Sequence, residues 1–352
     1  MLGKAEFIYP EMLDEDVLIG VTAMSSGLND ERGMVKLKNS INNFINKGFK
    51  IVETPNVRKG AKLVSDTAEM RASEFLELWK KDDISYIIVA CGGEFLMETL
   101  PILHKNKEIF LNTKTKWVQG FSDVSLLNFY LTTNYNFATI HANSFSSYAM
   151  IPWDKSLEVP VDFVKSFSKE LNQSSFKFYE KERDRTLGAE CNPYNLTEKV
   201  EYKNLYQDQS VKFEGRLIGG CMDVLKVLIG TPMDNTKAFC KSFDEGMIWY
   251  LENCEMSVTD LKRTLWQMKM AGWFENAKGF LIGRTNVKNT IEDFSYEDAL
   301  HDVLDDLKVP VVYDVDFGHV APQWTMINGA FAEFVFNEGK AELKQYLKNN
   351  IS

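Results

Sequence analysis

Apolar positions along this chain follow two alternating periods. Short apolar runs with the character of strands are separated by stretches whose apolar residues recur at helical spacing. Residues 16–23 predict a buried strand. Residues 31–47 predict an amphipathic helix built on Met34, Val35, Leu37, Ile41, Phe44 and Ile45, with a stop at Gly48. The next strand falls on 49–53, a helix on 67–81, and a strand on 86–91 whose run Tyr-Ile-Ile-Val-Ala-Cys has no polar face. A strand apolar on both sides belongs in a parallel sheet covered on both faces. Further strands are predicted at 117–121 and 138–141. The first half therefore reads as a βα-repeating, doubly wound α/β domain whose active edge lies at the carboxyl ends of its strands.

From about Asp154 to Gly215 this rhythm is lost in polar, charged and tyrosine-rich sequence, which reads as linker plus a long loop able to cover a site. The second half resumes with strands at 216–221, 247–251, 279–283 and 311–314. Helices at 222–229, 260–270 and 296–307 accompany them. A last run at 330–336 alternates as an antiparallel or edge strand does. The expected organisation is an amino-terminal domain over 1–155, linker and loop over 156–214, and a carboxyl-terminal mixed α/β domain over 215–352.

Composition narrows the function classes. A formal net charge of -10 opposes a nucleic-acid partner, and no basic patch offsets it. No apolar run approaches the roughly 20 residues that span a bilayer. Residues 1–15 lack a basic segment followed by an apolar one, so a cytoplasmic location is expected. The five cysteines are scattered without CxxC spacing and read as reduced thiols, and no metal is expected.

Candidate chemistry gathers at strand ends. Gly120-Phe121-Ser122-Asp123 lies on a strand-to-helix turn, where a serine is either a helix cap or a nucleophile with the next amide beside it. The second glycine of an ordinary nucleophile elbow is replaced by Val124. Cys91-Gly92-Gly93-Glu94 ends another buried strand, so the amide of Gly93, with that of Asp123, is a candidate oxyanion donor, or the pair is a plain tight turn. Gly219-Gly220-Cys221 allows the same two readings. His104 and His301 lie in helical stretches. His319 follows Gly318 in a loop past a strand, and His141 ends a strand, so both compete as a base. Glu252 ends the strand at 247–251 and could orient such a base.

These motifs, together with Gly215-Arg216-Leu217-Ile218-Gly219-Gly220, stand in an order that resembles the serine peptidase family of LD-carboxypeptidases and microcin C self-immunity proteins. The resemblance spans about residues 17–336. It implies an amino-terminal domain carrying the nucleophile, a carboxyl-terminal domain supplying Glu and His, a cytoplasmic homodimer, and no cofactor or metal. Matched motif by motif, it implies Ser122 as nucleophile, Glu252 as carboxylate and His319 as base, and His141 drops out. Gly92, Glu94, Gly220 and Cys221 are then expected near substrate. Cys91 and Glu94 depart from the Arg and Tyr-Gly that tend to flank the glycine pair in cell-wall enzymes, and the extended loop resembles the microcin-immunity branch. That branch uses a loop aromatic on a nucleotide base, a role open here to Tyr194, Tyr202 or Tyr206. The expected substrate is a small peptide or aminoacyl-nucleotide conjugate. A muropeptide carboxypeptidase is the alternative, and a non-catalytic binding protein on the same fold is the third reading.

Overall fold

The computed structural model describes residues 5–13, 18–186 and 188–349. Its first half alternates as the apolar pattern predicts. It runs β1 (Leu18–Thr22), α1 (Glu31–Asn46), β2 (Lys50–Glu53), α2 (Ala68–Lys80), β3 (Ile84–Val89), α3 (Leu100–Lys105), α4 (Lys107–Leu111), β4 (Trp117–Gly120), α5 (Val124–Tyr135), β5 (Thr139–His141) and α6 (Lys155–Lys165). Of the strand expected at 16–23, Asp16 and Val17 lie outside the described residues, as do residues 1–4 and 14–15 of the amino-terminal stretch. Strands β5, β4, β3, β1 and β2 are parallel in that order, so the winding reverses between β3 and β1. Along β3, Ile87 and Val89 join one core cluster with Trp79 and Phe129, while Tyr86 and Ile88 join another with Leu37 and Phe44. Both faces of the strand are thus covered, which is why its sequence shows no polar face.

The second half comprises β6 (Glu170–Ser174), β7 (Phe178–Tyr179), β8 (Glu198–Lys199), β9 (Lys203–Asn204), β10 (Ser210–Cys221), α7 (Met222–Leu225), α8 (Thr236–Lys241), β11 (Met247–Glu252), α9 (Val258–Met270), β12 (Ala277–Gly283), α10 (Tyr296–Leu304) and β13 (Val311–Val315). It closes with β14 (Met326–Asn328), β15 (Phe331–Asn337) and β16 (Lys340–Tyr346). An eight-stranded sheet runs β6-β16-β15-β10-β11-β12-β13-β9, with β10 to β13 parallel and the flanking strands antiparallel. One apolar core continues through both halves, where Phe129 of α5 stacks on Trp273 at 5.1 Å between ring centroids.

Two expected boundaries differ from the structure. Residues 156–214 are more than linker and loop: α6, capped by the Asp154 side chain, packs Leu157, Val161 and Val164 into the amino-terminal core, and β6 completes an edge of the second sheet. Pro160 inside α6 conceals the helix from a propensity reading, and β6 to β9 are short and largely polar, as edge strands are. The carboxyl-terminal region is not confined to its own sheet either. β14 pairs antiparallel with β5, Met326 opposite His141, and so forms the outer strand of the amino-terminal sheet. The carboxyl ends of β1, β3 and β4 consequently face those of β11 and β13 across one seam.

Candidate active site

β4 ends at Gly120 and α5 starts at Val124, so the chain must turn within three residues. Ser122 takes the turn with φ 61°, a left-handed conformation that costs a residue with a Cβ about 1–2 kcal/mol. Close strand-to-helix contact requires Gly120, because a Cβ there would stand 2.6 Å from Val124 Cγ1. The approach that an elbow's second glycine would ease is thus met from the strand side alone. The Asp123 carboxylate does not cap α5. It accepts from Ser25 Oγ at 2.5 Å and from the Leu96 amide at 2.9 Å, tying the segments after β1 and β3 to the turn. Burial pushes its pKa up to about 6 against those two bonds.

Glu252 ends β11 and is fully buried. His319 comes from the loop after β13, which Asp316 anchors by accepting from Arg284 at 2.6 Å, the Tyr202 hydroxyl at 2.6 Å and the Phe176 amide at 2.8 Å. Gly318 has φ 101°, and a Cβ on it would fall 2.2 Å from Glu252 Oε2, so glycine is required where the loop passes the carboxylate. His319 Nδ1 lies 2.8 Å from Glu252 Oε2, and Nε2 lies 2.9 Å from Ser122 Oγ. The network assigns the ring proton to Nδ1, donating to the carboxylate, and leaves Nε2 to accept from the serine hydroxyl.

Burial alone would lower the His319 pKa. The Glu252 charge, its hydrogen bond and the neighbouring Cys254 thiol outweigh it and hold the ring well above the ordinary histidine value. Glu252 would be raised by burial, yet the charge and hydrogen bond of His319 hold it below the carboxylate range. A base must be neutral to accept a proton. With His319 as the base, the acid limb of kcat/KM is therefore expected above pH 6.5, with rate rising as pH increases through it, and Glu252→Gln is expected to move the limb down. A pH-rate profile of parent and variant checks both, and a limb below 6.5 in the parent contradicts the assignment.

Gly92 lies against the serine, its missing Cβ leaving open a position 3.0 Å from Ser122 Oγ. Among the described residues no hydrogen bond uses the amide of Gly93 or of Asp123, so both are free to face an oxyanion. A cavity of about 480 Å³ opens over His319 and Phe121 and extends to Lys36, with residues 180–183, Arg185, Glu190 and Tyr194 lining its other side. Arg183 braces that side by donating to the carbonyls of Asn192 at 2.6 Å and Pro193 at 3.0 Å.

The other expected site residues separate into two groups. Tyr194 lines the cavity, with the Arg183 guanidinium 5.3 Å from its ring centroid. Tyr202 is buried on Asp316, and Tyr206 packs near His301 of α10, so neither lines the cavity. Glu94 is exposed. Gly220 and Cys221 do not line it either: the end of β10 passes behind Glu252 and buries both, Gly220 against Ser125. Cys221, Glu252 and His319 have donor atoms within 4.8 Å of one another, but His319 Nδ1 and one Glu252 oxygen already bond each other. Ser25 is a neighbour of the site that spacing did not single out, whereas His141, weighed as a competing base and set aside, also borders it. The polar pair Ser25-Ser26 just past β1 was a usable signal for Ser25. Among the described residues, no helix is long and apolar enough to cross a membrane.

Two family models match the chain: the LD-carboxypeptidase N-terminal domain over residues 19–142 and the LD-carboxypeptidase C-terminal domain over 214–334. The chain is 26% identical over 314 residues to the microcin C7 self-immunity protein MccF of Escherichia coli, covering 86% of each. It is 24% identical over 273 residues to a probable murein peptide carboxypeptidase of Bacillus subtilis, covering 74% of this chain and 72% of that one. The crystal structure of an MccF-like protein from Streptococcus pneumoniae in complex with AMP superposes with a TM-score of 0.76 at 24% identity, over 95% of this chain and all of the other.

Proposed function

The chain belongs to the LD-carboxypeptidase family of serine-type hydrolases, and from that premise we propose that Ser122, His319 and Glu252 hydrolyse an amide through an acyl-enzyme. The observation that carries this reading is the continuous hydrogen-bonded line from Ser122 Oγ through His319 to buried Glu252, at 2.9 and 2.8 Å. His319 Nε2 takes the serine proton as Oγ attacks the scissile carbonyl, and the carbonyl electrons move to oxygen beside the amides of Asp123 and Gly93. Collapse of this intermediate expels the amine, which leaves with the proton held by His319. Water, deprotonated by the same nitrogen, then attacks the ester and restores the serine. Glu252 keeps the ring in its tautomer and offsets the imidazolium charge.

The substrate we propose is a small peptide or aminoacyl-nucleotide conjugate, held in the cavity between His319 and the side lined by residues 180–183, Glu190 and Tyr194. Its support is the similarity to MccF across most of both chains and the AMP held by the superposable streptococcal protein. A muropeptide substrate is the second reading, supported by the Bacillus relative. A panel of aminoacyl sulfamoyl adenylates and L,D-muropeptides, with fluorophosphonate labelling of Ser122, separates them. Turnover of muropeptides alone selects the second reading, and absence of labelling and turnover together removes the hydrolytic one.

Tyr194 provides a finer test. If its ring holds a base, Tyr194→Ala is expected to raise KM for an aminoacyl adenylate roughly five- to 150-fold, the equivalent of about 1–3 kcal/mol of stacking, while a short peptide is cleaved as before. The ring also packs against the amino-terminal core, so equal losses on both substrates with a lowered melting temperature would assign it to packing.

A further inference from the structure

Glu252 presents two oxygens inside the core, and His319 accounts for one of them. Oε2 accepts from His319, but Oε1 is buried without a hydrogen-bond partner among the described residues. Facing it at 3.8 Å is His141 Nε2, also buried and also without a partner. No water fits between them, since two hydrogen bonds of about 2.8 Å meeting at a tetrahedral angle span roughly 4.5 Å. A buried donor and a buried acceptor thus confront each other, and buried polar groups in native structures are paired.

The surroundings fix which atom carries the proton. His141 ends β5, its Nδ1 lies 3.3 Å from Ser125 Oγ, and its ring meets Tyr250 edge to face at 5.4 Å. An ionised carboxylate can only accept, which assigns the ring proton to Nε2, and Nδ1 then accepts from Ser125 Oγ on α5. Burial, against the opposing pull of Glu252, pushes the His141 pKa down to about 4, so the ring stays neutral and Nδ1 remains an acceptor.

We propose that His141 is a positioning residue for hydrolysis: its Nε2–H faces Glu252 Oε1 across 3.8 Å and closes on it to hydrogen-bond length, so that one buried carboxylate is gripped between two imidazoles and aims Oε2 at His319. This rests on the serine mechanism proposed above. Without the second grip the carboxylate can turn about its last side-chain bond and lose the line to His319.

Two amide substitutions test it. His141→Gln keeps an N–H donor near the Nε2 position, whereas His141→Asn keeps polarity and the Ser125 contact but falls short of Glu252. The asparagine variant is expected to lose kcat roughly 10- to 100-fold, as when outer hydrogen-bond partners of metal-bound histidines are removed, with KM within twofold. The glutamine variant is expected to recover kcat to within about fivefold of the parent. In the absence of substrate, the downfield NMR resonance of the His319 Nδ1 proton should move in the asparagine variant and return in the glutamine one. Equal kcat and equal resonance positions in the two variants, whether both intact or both impaired, overturn the proposal. The resonance reads the contact without turnover, so a parent enzyme inactive on every substrate would defeat the hydrolytic reading while a displaced resonance still supported the contact.

Discussion

Ser122→Ala is expected to lower kcat by about 10⁴- to 10⁶-fold while the protein stays folded, the range seen when a triad member is removed from well-studied serine hydrolases. The loss is large because, among the described residues, no other hydroxyl bonds His319 Nε2. Stability should change little: alanine meets the same left-handed backbone at φ 61°, and the hydrogen bond removed is to a partly exposed ring. Steady-state kinetics beside a melting curve checks both halves. Activity within about tenfold of the parent, a difference of only about 1.4 kcal/mol in barrier, would remove Ser122 as nucleophile.

The second large effect concerns Glu252 and His319 as one unit. His319→Ala removes the proposed base outright, whereas Glu252→Gln leaves an imidazole without its charge partner and with its tautomer unfixed, a change that costs on the order of 10⁴ in the serine protease studied most closely. Because the carboxylate acts only through the ring, the double variant is expected to be scarcely slower than His319→Ala alone. A four-member cycle of kcat values measures this. Losses that multiply would show that Glu252 serves the fold and not the ring. Its burial makes a stability cost expected as well, so each variant needs a folding measurement under the same conditions.

How far these features were legible differs by the kind of information each needs. Ser122, Glu252 and His319 each follow an apolar run that ends in a polar or glycine-marked turn, and a parallel strand's carboxyl end leaves few places for such a residue to point. Gly220 and Cys221 share that signature yet lie buried behind the site. Which side of a strand end faces the cavity depends on the neighbouring strand, here β11, and the order of strands in a sheet is not a local property of the chain. His141 was set aside because the family resemblance gave the base to His319; that a carboxylate has a second oxygen facing another histidine emerges only in three dimensions. Helix α6 escaped through Pro160, and β14 is three residues long, too short to show a period.

The placement of β14 also bears on the order in which the molecule assembles. Its Asn328 bonds Thr139 across 189 positions of chain, and His319 reaches Ser122 across 197. Contacts of such span close large loops, and their entropic cost falls due before they return any stabilisation, so they form after the helices and the adjacent strand pairs of either sheet. A chain with both sheets begun but the halves undocked holds its serine at the end of one and its histidine on a loop of the other, and the two meet only when β14 and the shared core bring the sheets together. On the proposed mechanism, hydrolytic competence is therefore expected to arrive only with this late long-range docking.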